Sequence, residues 1–275
     1  MPEFPEVTVV ARTLNSLVKD KKIISITTIT PKLFKVNGFD AFQKELTDQK
    51  IEKVYNIGKF IIFELSNDLK MISHLRMEGK YFFEKESEDN LRNKKHDLVW
   101  FYFSDDSVLI YNDTRRFGTL EFVKGDVKNA KAIAKLANLP DPSDAKVIME
   151  KTKNTKTAIK QTILNQEIVL GIGNIYADES LFAARISPLR PTNELTIQDW
   201  EKLLTSAQRI MDDSLRLGGS SVHSYTSVNA SKGSYQEKLK VYGKKGVECP
   251  ECSQPLTKIK VNGRGTTYCE RCQSE

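Results

Sequence analysis

No run of apolar residues approaches the ~18 needed to cross a bilayer as a helix. The opening Met1-Pro2-Glu3-Phe4-Pro5-Glu6 has neither a basic stretch nor an apolar core, so no secretory leader is expected and the cytoplasm is the default compartment. Internal repeats and low-complexity tracts are absent. Cysteine is missing from the first 248 residues, which excludes a disulfide framework through the body of the chain. What remains is an ordinary globular supply: 275 residues, 39% hydrophobic, 9% aromatic and 28% charged. That composition builds real cores and argues against disorder, and the length suits two domains.

Charge is uneven. The net charge is +6, yet residues 1–150 hold 24 basic and 23 acidic side chains, while 151–275 hold 18 and 13. Between Lys238 and Arg264, seven basic residues face only Glu248 and Glu251. A modest excess focused near the C-terminus suits a polyanion such as nucleic acid, or simply a solubilising surface.

Periodicity gives an α+β organisation. Apolar residues Val7, Val10, Ala11, Leu14 and Val18 recur at helical spacing and predict an amphipathic helix over Glu6–Lys19. Short apolar or alternating runs follow at Ile23–Ile29, Lys50–Ile57, Phe60–Leu65, Met71–Leu75, Leu98–Phe103 and Val108–Tyr111, with a short helix over Gly38–Leu46. They predict a β-sandwich with flanking helices that ends near Val123. Glu84–Lys95 reads as an exposed loop. Beyond residue 128 the pattern turns helical, at Ala130–Ala137, Ala158–Leu164, Ile175–Ala184 and Ile197–Leu217, the last with a capped start at Thr196. Gly218–Gly246, rich in Gly, Ser, Asn and Lys, reads as a long loop. The expected domains are 1–128, 129–236 and 237–275, the last forming part of the C-terminal domain.

Cys249-Pro-Glu-Cys252 and Cys269-Glu-Arg-Cys272 stand sixteen residues apart. Each pair can give two sulfurs from one tight turn, so the spacing predicts one structural Zn²⁺ held by four thiolates; two disulfides or free thiols are the alternatives, and a cytosolic chain disfavours disulfides. Between the pairs, Thr257–Val261, Asn262-Gly263 and Thr266–Tyr268 read as a β-hairpin with Arg264 at its tip.

The opening Met-Pro-Glu-x-Pro-Glu-Val and a four-cysteine finger carrying Gly263-Arg264-Gly265-Thr266 together resemble the bacterial formamidopyrimidine-DNA glycosylase family. The likeness runs in order across the chain. It includes Gly58-Lys59-Phe60, His74 to Gly79, Asp113 to Gly118, Gly171 to Ala177 and Leu239 to Gly243. The resemblance implies a β-sandwich catalytic domain, a helix–two-turn–helix DNA-binding domain and a zinc-finger hairpin. It also implies a bifunctional glycosylase and abasic-site lyase that excises oxidised purines from double-stranded DNA in base excision repair.

The resemblance also assigns roles. Pro2, freed by removal of Met1, is the nucleophile: an amine forms a Schiff base, and an α-amino group titrates near ~8, so part of it is neutral at physiological pH. Glu3 moves protons during base loss. Glu6, in the first helical turn, reads equally well as structural. Lys59 contacts phosphate and donates a proton in β-elimination, and Arg264 clamps phosphate and assists δ-elimination. Met77, Arg116 and Phe117 fill the gap left by the flipped base, a task wedge side chains perform elsewhere. His96, Lys156, Lys160 and Asn174 contact DNA, Asn174 from a Gly-x-Gly turn at a helix start. Three residues depart from the family pattern: Gln161 for proline, which bears on the helix start but leaves the Lys160 amine in place, and Phe4 for leucine and Thr8 for glutamate, neither expected to affect chemistry. A monomer is expected. The alternatives are an endonuclease VIII-like glycosylase for oxidised pyrimidines and a non-catalytic zinc-finger DNA-binding protein.

Overall fold

The computed structural model describes residues 2–85, 95–220, 228–230 and 233–274. Most of the expected Glu84–Lys95 loop, and residues 221–227, 231 and 232 of the expected Gly218–Gly246 loop, lie outside the described residues. The chain divides into two compact units, Met1–Ala134 with Gly218–Ser234, and Lys135–Leu217 with Tyr235–Glu275.

The first unit begins with helix α1 (Phe4–Val18). Its start is set by a reciprocal cap: the Glu3 side chain accepts from the Glu6 amide, and the Glu3 amide donates to Glu6 Oε2 at 2.9 Å. Pro5 sits in the first turn, where a missing N–H costs nothing. The predicted apolar stripe is buried, and α1 lies on β2 (Ile51–Ile57) and β3 (Phe60–Leu65). These two strands continue into β4 (Leu69–His74) and β8 (Thr119–Lys124) to give an antiparallel sheet of order β2-β3-β4-β8. A second antiparallel sheet, of order β1-β6-β7-β5, is built from β1 (Ile23–Thr28), β5 (Lys80–Lys85), β6 (Asp97–Phe103) and β7 (Ser107–Asn112). Their facing side chains make the core. Phe42, from α2 (Phe39–Leu46), meets Phe34 edge-on at 4.7 Å between centroids, and Phe101 and Phe122 at 6.4 and 6.3 Å.

Strands β5 and β8 were not expected. Both are short and carry lysine at their last position, which mutes the apolar signal, and each ends its sheet. The outer side of β5 is met by Asn229, whose left-handed backbone (φ 54°) lets Oδ1 accept the Phe83 amide at 2.9 Å.

The second unit is helical: α3 (Ala145–Thr152), α4 (Ile159–Ile163), α5 (Asn174–Ala184) and α6 (Ile197–Arg216). The expected cap of α6 is present, with the Asp199 amide donating to Thr196 Oγ1 at 3.2 Å and the Thr196 amide to Asp199 Oδ2 at 3.0 Å. The helix expected over Ala130–Ala137 is replaced by turns. Ala130 O accepts from Ile133 and Ala134, but the Ala137 amide then donates to Gln166 O at 2.9 Å, and Pro140 and Pro142 bar further helix. Helix α3 escaped notice because its buried residues, Ala145, Ile148 and Thr152, include only one large apolar side chain. The unit ends in an antiparallel hairpin of β9 (Thr257–Val261) and β10 (Arg264–Tyr268), as predicted. Among the described residues no helix is long and apolar enough to cross a membrane.

Candidate functional site

In the first unit, the chain start and the Lys59 turn are tied together. Pro2 is buried, and Glu3 and Glu6 are 2% and 1% exposed. Glu6 Oε1 accepts the Ser220 amide at 2.7 Å, and a Cβ on Gly219 would lie 3.3 Å from that oxygen, so a side chain there would crowd the carboxylate. Lys59 follows Gly58 (φ 54°) in the two-residue turn joining β2 to β3. Asn56 Nδ2 donates both to Gly58 O (2.9 Å) and to Thr8 Oγ1 (3.0 Å), while Thr8 Oγ1 donates to Phe4 O (2.8 Å). The first turn of α1 is thereby coupled to the turn carrying Lys59. Thr8, expected to have no effect on chemistry, is the structural middle link of this chain.

Lys59 itself is buried at 7% exposure. It acts on His74, which packs edge-on against Phe60 at 4.6 Å. Burial, then the Arg76 and Lys59 charges, push the His74 pKa down to about 3. The ring is therefore neutral, and its Nδ1 accepts the Arg76 amide at 3.0 Å.

That bond opens the first of two loops that carry the expected gap-filling residues. Arg76 has φ 53°, and the loop closes with the Gly79 amide donating to Leu75 O at 3.0 Å. Met77 is half-buried on it. The second loop, 113–118, is wrapped around Asp113, which is 0% exposed. Asp113 Oδ1 accepts the Arg115 amide, and Oδ2 accepts those of Phe117 and Gly118, all at 2.9 Å. The cage forces Arg116 to φ 55° and leaves Arg116 and Phe117 exposed, with the Arg115 guanidinium 4.6 Å from the Phe117 ring. Both loops meet Tyr111. A Cβ on Gly79 or Gly118 would fall 2.4 or 1.8 Å from its hydroxyl oxygen, so Met77 and the Arg116–Phe117 pair are presented from either side of one buried ring. The half-buried His96 stands just before β6, and its carbonyl accepts the Asp113 amide at 3.0 Å.

In the second unit, the expected DNA contacts separate by burial. Lys156 is exposed, in the connection before α4 rather than on a helix. Lys160, expected at the DNA surface, is 0% exposed and directed inward: Nζ meets Asp178 Oδ1 at 2.6 Å, Thr266 Oγ1 at 2.8 Å and Gly265 O at 3.1 Å. Asp178 also accepts the Thr267 amide at 2.9 Å, and its burial raises the carboxyl pKa to about 6 despite the lysine. Asn174 Nδ2 donates to the same Gly265 O at 3.0 Å, leaving its buried Oδ1 without a hydrogen-bond partner among the described residues. Three side chains thus fix the backbone next to the exposed Arg264. The Gly-x-Gly turn before α5 is held by Gln166, which accepts the Gly171 amide (2.9 Å) and donates to Ile172 O (2.9 Å). Glu179 holds the motif 239–243, accepting the amides of Lys240, Val241 and Tyr242 at 2.8, 2.9 and 2.8 Å.

The four cysteine sulfurs lie within 4.8 Å of one another, with Cys249–Cys272 at 3.9 Å and Cys252–Cys269 at 3.5 Å. Zinc–sulfur bonds of about 2.3 Å in a tetrahedron put the sulfurs about 3.8 Å apart, so the residues fit the metal. Four thiolates leave no position for a reacting water, which makes the zinc structural.

Sequence reasoning passed over Tyr111, Asp113, Asn56, Asp178 and Glu179. Asp113 left a signal, an Asp two residues ahead of an Arg-Arg-Phe-Gly turn; the others act across long sequence separations and left none.

Three family descriptions match the chain: "Formamidopyrimidine-DNA glycosylase N-terminal domain" over residues 1–120, "Formamidopyrimidine-DNA glycosylase H2TH domain" over 136–226, and "Zinc finger found in FPG and IleRS" over 246–274. The formamidopyrimidine-DNA glycosylase of Mycoplasma mobile is 42% identical over 275 residues, covering 99% of each chain. That of Mycoplasmopsis pulmonis is 44% identical over 278, covering 100% of this chain and 99% of the other. Among solved structures, a Lactococcus lactis FPG mutant bound to Fapy-dG-containing DNA superposes with a TM-score of 0.91 at 40% identity, covering 100% of both chains. MutM in complex with carbocyclic 8-oxo-G-containing DNA gives the same score, identity and coverage.

Proposed function

The chain belongs to the formamidopyrimidine-DNA glycosylase family, and from that premise we propose how its own residues carry out the reaction on oxidised purines such as 8-oxoguanine and formamidopyrimidines in double-stranded DNA. The enzyme is a DNA glycosylase and abasic-site lyase of base excision repair. Removal of Met1 leaves Pro2 as a secondary amine. Its lone pair attacks C1′ of the flipped deoxyribose while the bond to the damaged base breaks, and the base leaves with a proton. The sugar ring opens as the iminium forms, and Glu3 carries the protons of these steps. Loss of a C2′ proton then expels the 3′-phosphate, and a second elimination expels the 5′-phosphate. Lys59 and Arg264 receive these phosphates as buried and exposed cations respectively. Met77, Arg116 and Phe117 occupy the vacated stack. Lys156 and Asn174 contact the backbone, whereas Lys160 acts indirectly by holding Gly265. The zinc keeps the hairpin folded. The protein works as a monomer in the cytoplasm, where its DNA substrate lies.

The observation that carries this reading is the hydrogen-bonded chain from Phe4 through Thr8 and Asn56 to Gly58, which couples the N-terminal turn to the turn that carries Lys59. Borohydride trapping tests it. Wild-type protein is expected to cross-link to duplexes carrying 8-oxoguanine or an abasic site, and Pro2→Gly to lose the cross-link. Glu3→Gln should bind duplex but lose base excision, by at least the 10²-fold expected of a proton-transfer group. Trapping that survives Pro2→Gly, or a near-normal excision rate in Glu3→Gln, overturns the assignment. Thymine glycol cleaved in preference to both purine lesions would favour the pyrimidine reading instead.

A further inference from the structure

The second unit contains a cavity of about 630 Å³ lined by none of the residues given a catalytic or DNA-contacting role, although the zinc ligand Cys272 borders it. Helix α5 separates it from the DNA-contacting residues. Asn174 opens that helix, whereas the cavity is bordered by Glu179, Phe182 and Arg185 along and beyond its second half, starting about 8 Å along the axis. Its apolar lining comes from Phe182, Ile210, Leu217 and Tyr235, with Leu217 partly exposed to solvent. Its rim is cationic. Arg185 and Arg216 are matched by Glu251 and Asp213, and Glu179 is occupied by three backbone amides. Arg209, Lys238 and Lys240 are exposed and form no ion pair between described residues.

We propose that this cavity docks an acidic peptide segment of a partner protein, with an apolar side chain of that segment entering between Phe182, Ile210 and Tyr235. The volume lies in the range of sites that enclose a few side chains. Charge complementarity selects an anionic guest, because Arg185, Arg209, Arg216, Lys238 and Lys240 line the cavity against Glu179, Asp213 and Glu251, an excess of two cations. The helix ends select its shape. The cavity lies at the C-terminal ends of α5 and α6, whose carbonyls disfavour any anion on the floor and leave the rim cations as the place for negative groups. Carboxylates spread along an extended segment can instead reach the rim cations individually, while the floor rewards an apolar anchor that nucleic acid does not offer.

The test uses the full-length zinc-loaded protein and a short fluorescein-labelled peptide of aspartates bearing two phenylalanines, followed by anisotropy. Saturable binding is expected, weakened about tenfold or more in Arg209→Glu and separately in Lys238→Glu, and lost when the phenylalanines are replaced by serine. Both variants should keep the wild-type zinc content and melting temperature, which shows that they are folded; should α6 not tolerate Arg209→Glu, Lys238→Glu carries the test alone. Absence of saturable binding, equal binding by the variants, or complete displacement of the peptide by undamaged duplex would overturn the proposal, the last by making the cavity part of a DNA-binding surface.

Discussion

Two regions present an exposed arginine from a backbone fixed by a buried aspartate, and they do so in different ways. In the loop 113–118, Asp113 receives amides two, four and five residues further along the chain. The device is local, uncharged apart from the carboxylate, and backed by Tyr111. In the finger hairpin, Asp178 receives the amide of Thr267, 89 residues away, and the ammonium of Lys160. That device joins α4, α5 and β10, and it depends on a metal site to keep β10 in place. The first should therefore be indifferent to zinc and to distant substitutions, and the second sensitive to both.

Metal removal is the strongest way to break the comparison. Structural zinc sites contribute on the order of 10 kcal/mol to folding. Chelation, or Cys252→Ser, is expected to abolish strand incision and erase hydrogen-exchange protection at Thr266 and Thr267, while the amides of Phe117 and Gly118 stay protected. Equal loss in both places would show that the two devices are not independent.

The buried ion pair comes next. Asp178→Ala leaves the Lys160 ammonium, 0% exposed, without its counter-charge. Removing one partner of such a pair costs about 3–5 kcal/mol, whereas replacing both with apolar side chains is often neutral. Urea unfolding followed in the second unit should thus show Asp178→Ala strongly destabilised and Lys160→Met/Asp178→Leu much less so. A loss below about 1 kcal/mol for Asp178→Ala would mean that water or rearrangement already compensates Lys160.

How much of this was legible depended on sequence distance. The Thr196 cap and the Asn262-Gly263 hairpin are written within a few residues, and the cysteine spacing names its own ligand set. The position of Lys160 is not written locally: a lysine in a polar stretch reads as surface, and the partners that bury it lie 18 and 106 residues on. The link made by Thr8 is hidden for the same reason, since it runs to Asn56, 48 residues away. At Ala130–Ala137 the local pattern was helical, but a bond to Gln166 and two following prolines prevailed.

A smaller perturbation sharpens the local side of the comparison. Gly118→Ala would set a methyl 1.8 Å from Tyr111 Oη and 2.8 Å from Cζ. Overpacking of this kind costs about 1–3 kcal/mol, read as a drop in the first unit's melting temperature. Adding Tyr111→Phe should restore part of it, because the closest atom is gone; no restoration would place the strain in the Asp113 cage instead.

The smallest effect concerns the neighbour of Lys59. His74 is held neutral, its pKa lowered to about 3 by burial and by the Arg76 and Lys59 charges, against about 6.5 in an unfolded chain. Between those values the unfolded state binds the extra proton. The contribution to stability is therefore complete above about pH 6.5 and is lost as pH falls, at up to about 1.4 kcal/mol per pH unit. The His74 ring resonances should stay flat from pH 8 to 5, and His74→Phe should flatten the acid limb of the stability curve without shifting any activity transition near neutrality. Titration of His74 near pH 6 would mean that the ring is hydrated and that the Lys59 ammonium does not bear on it.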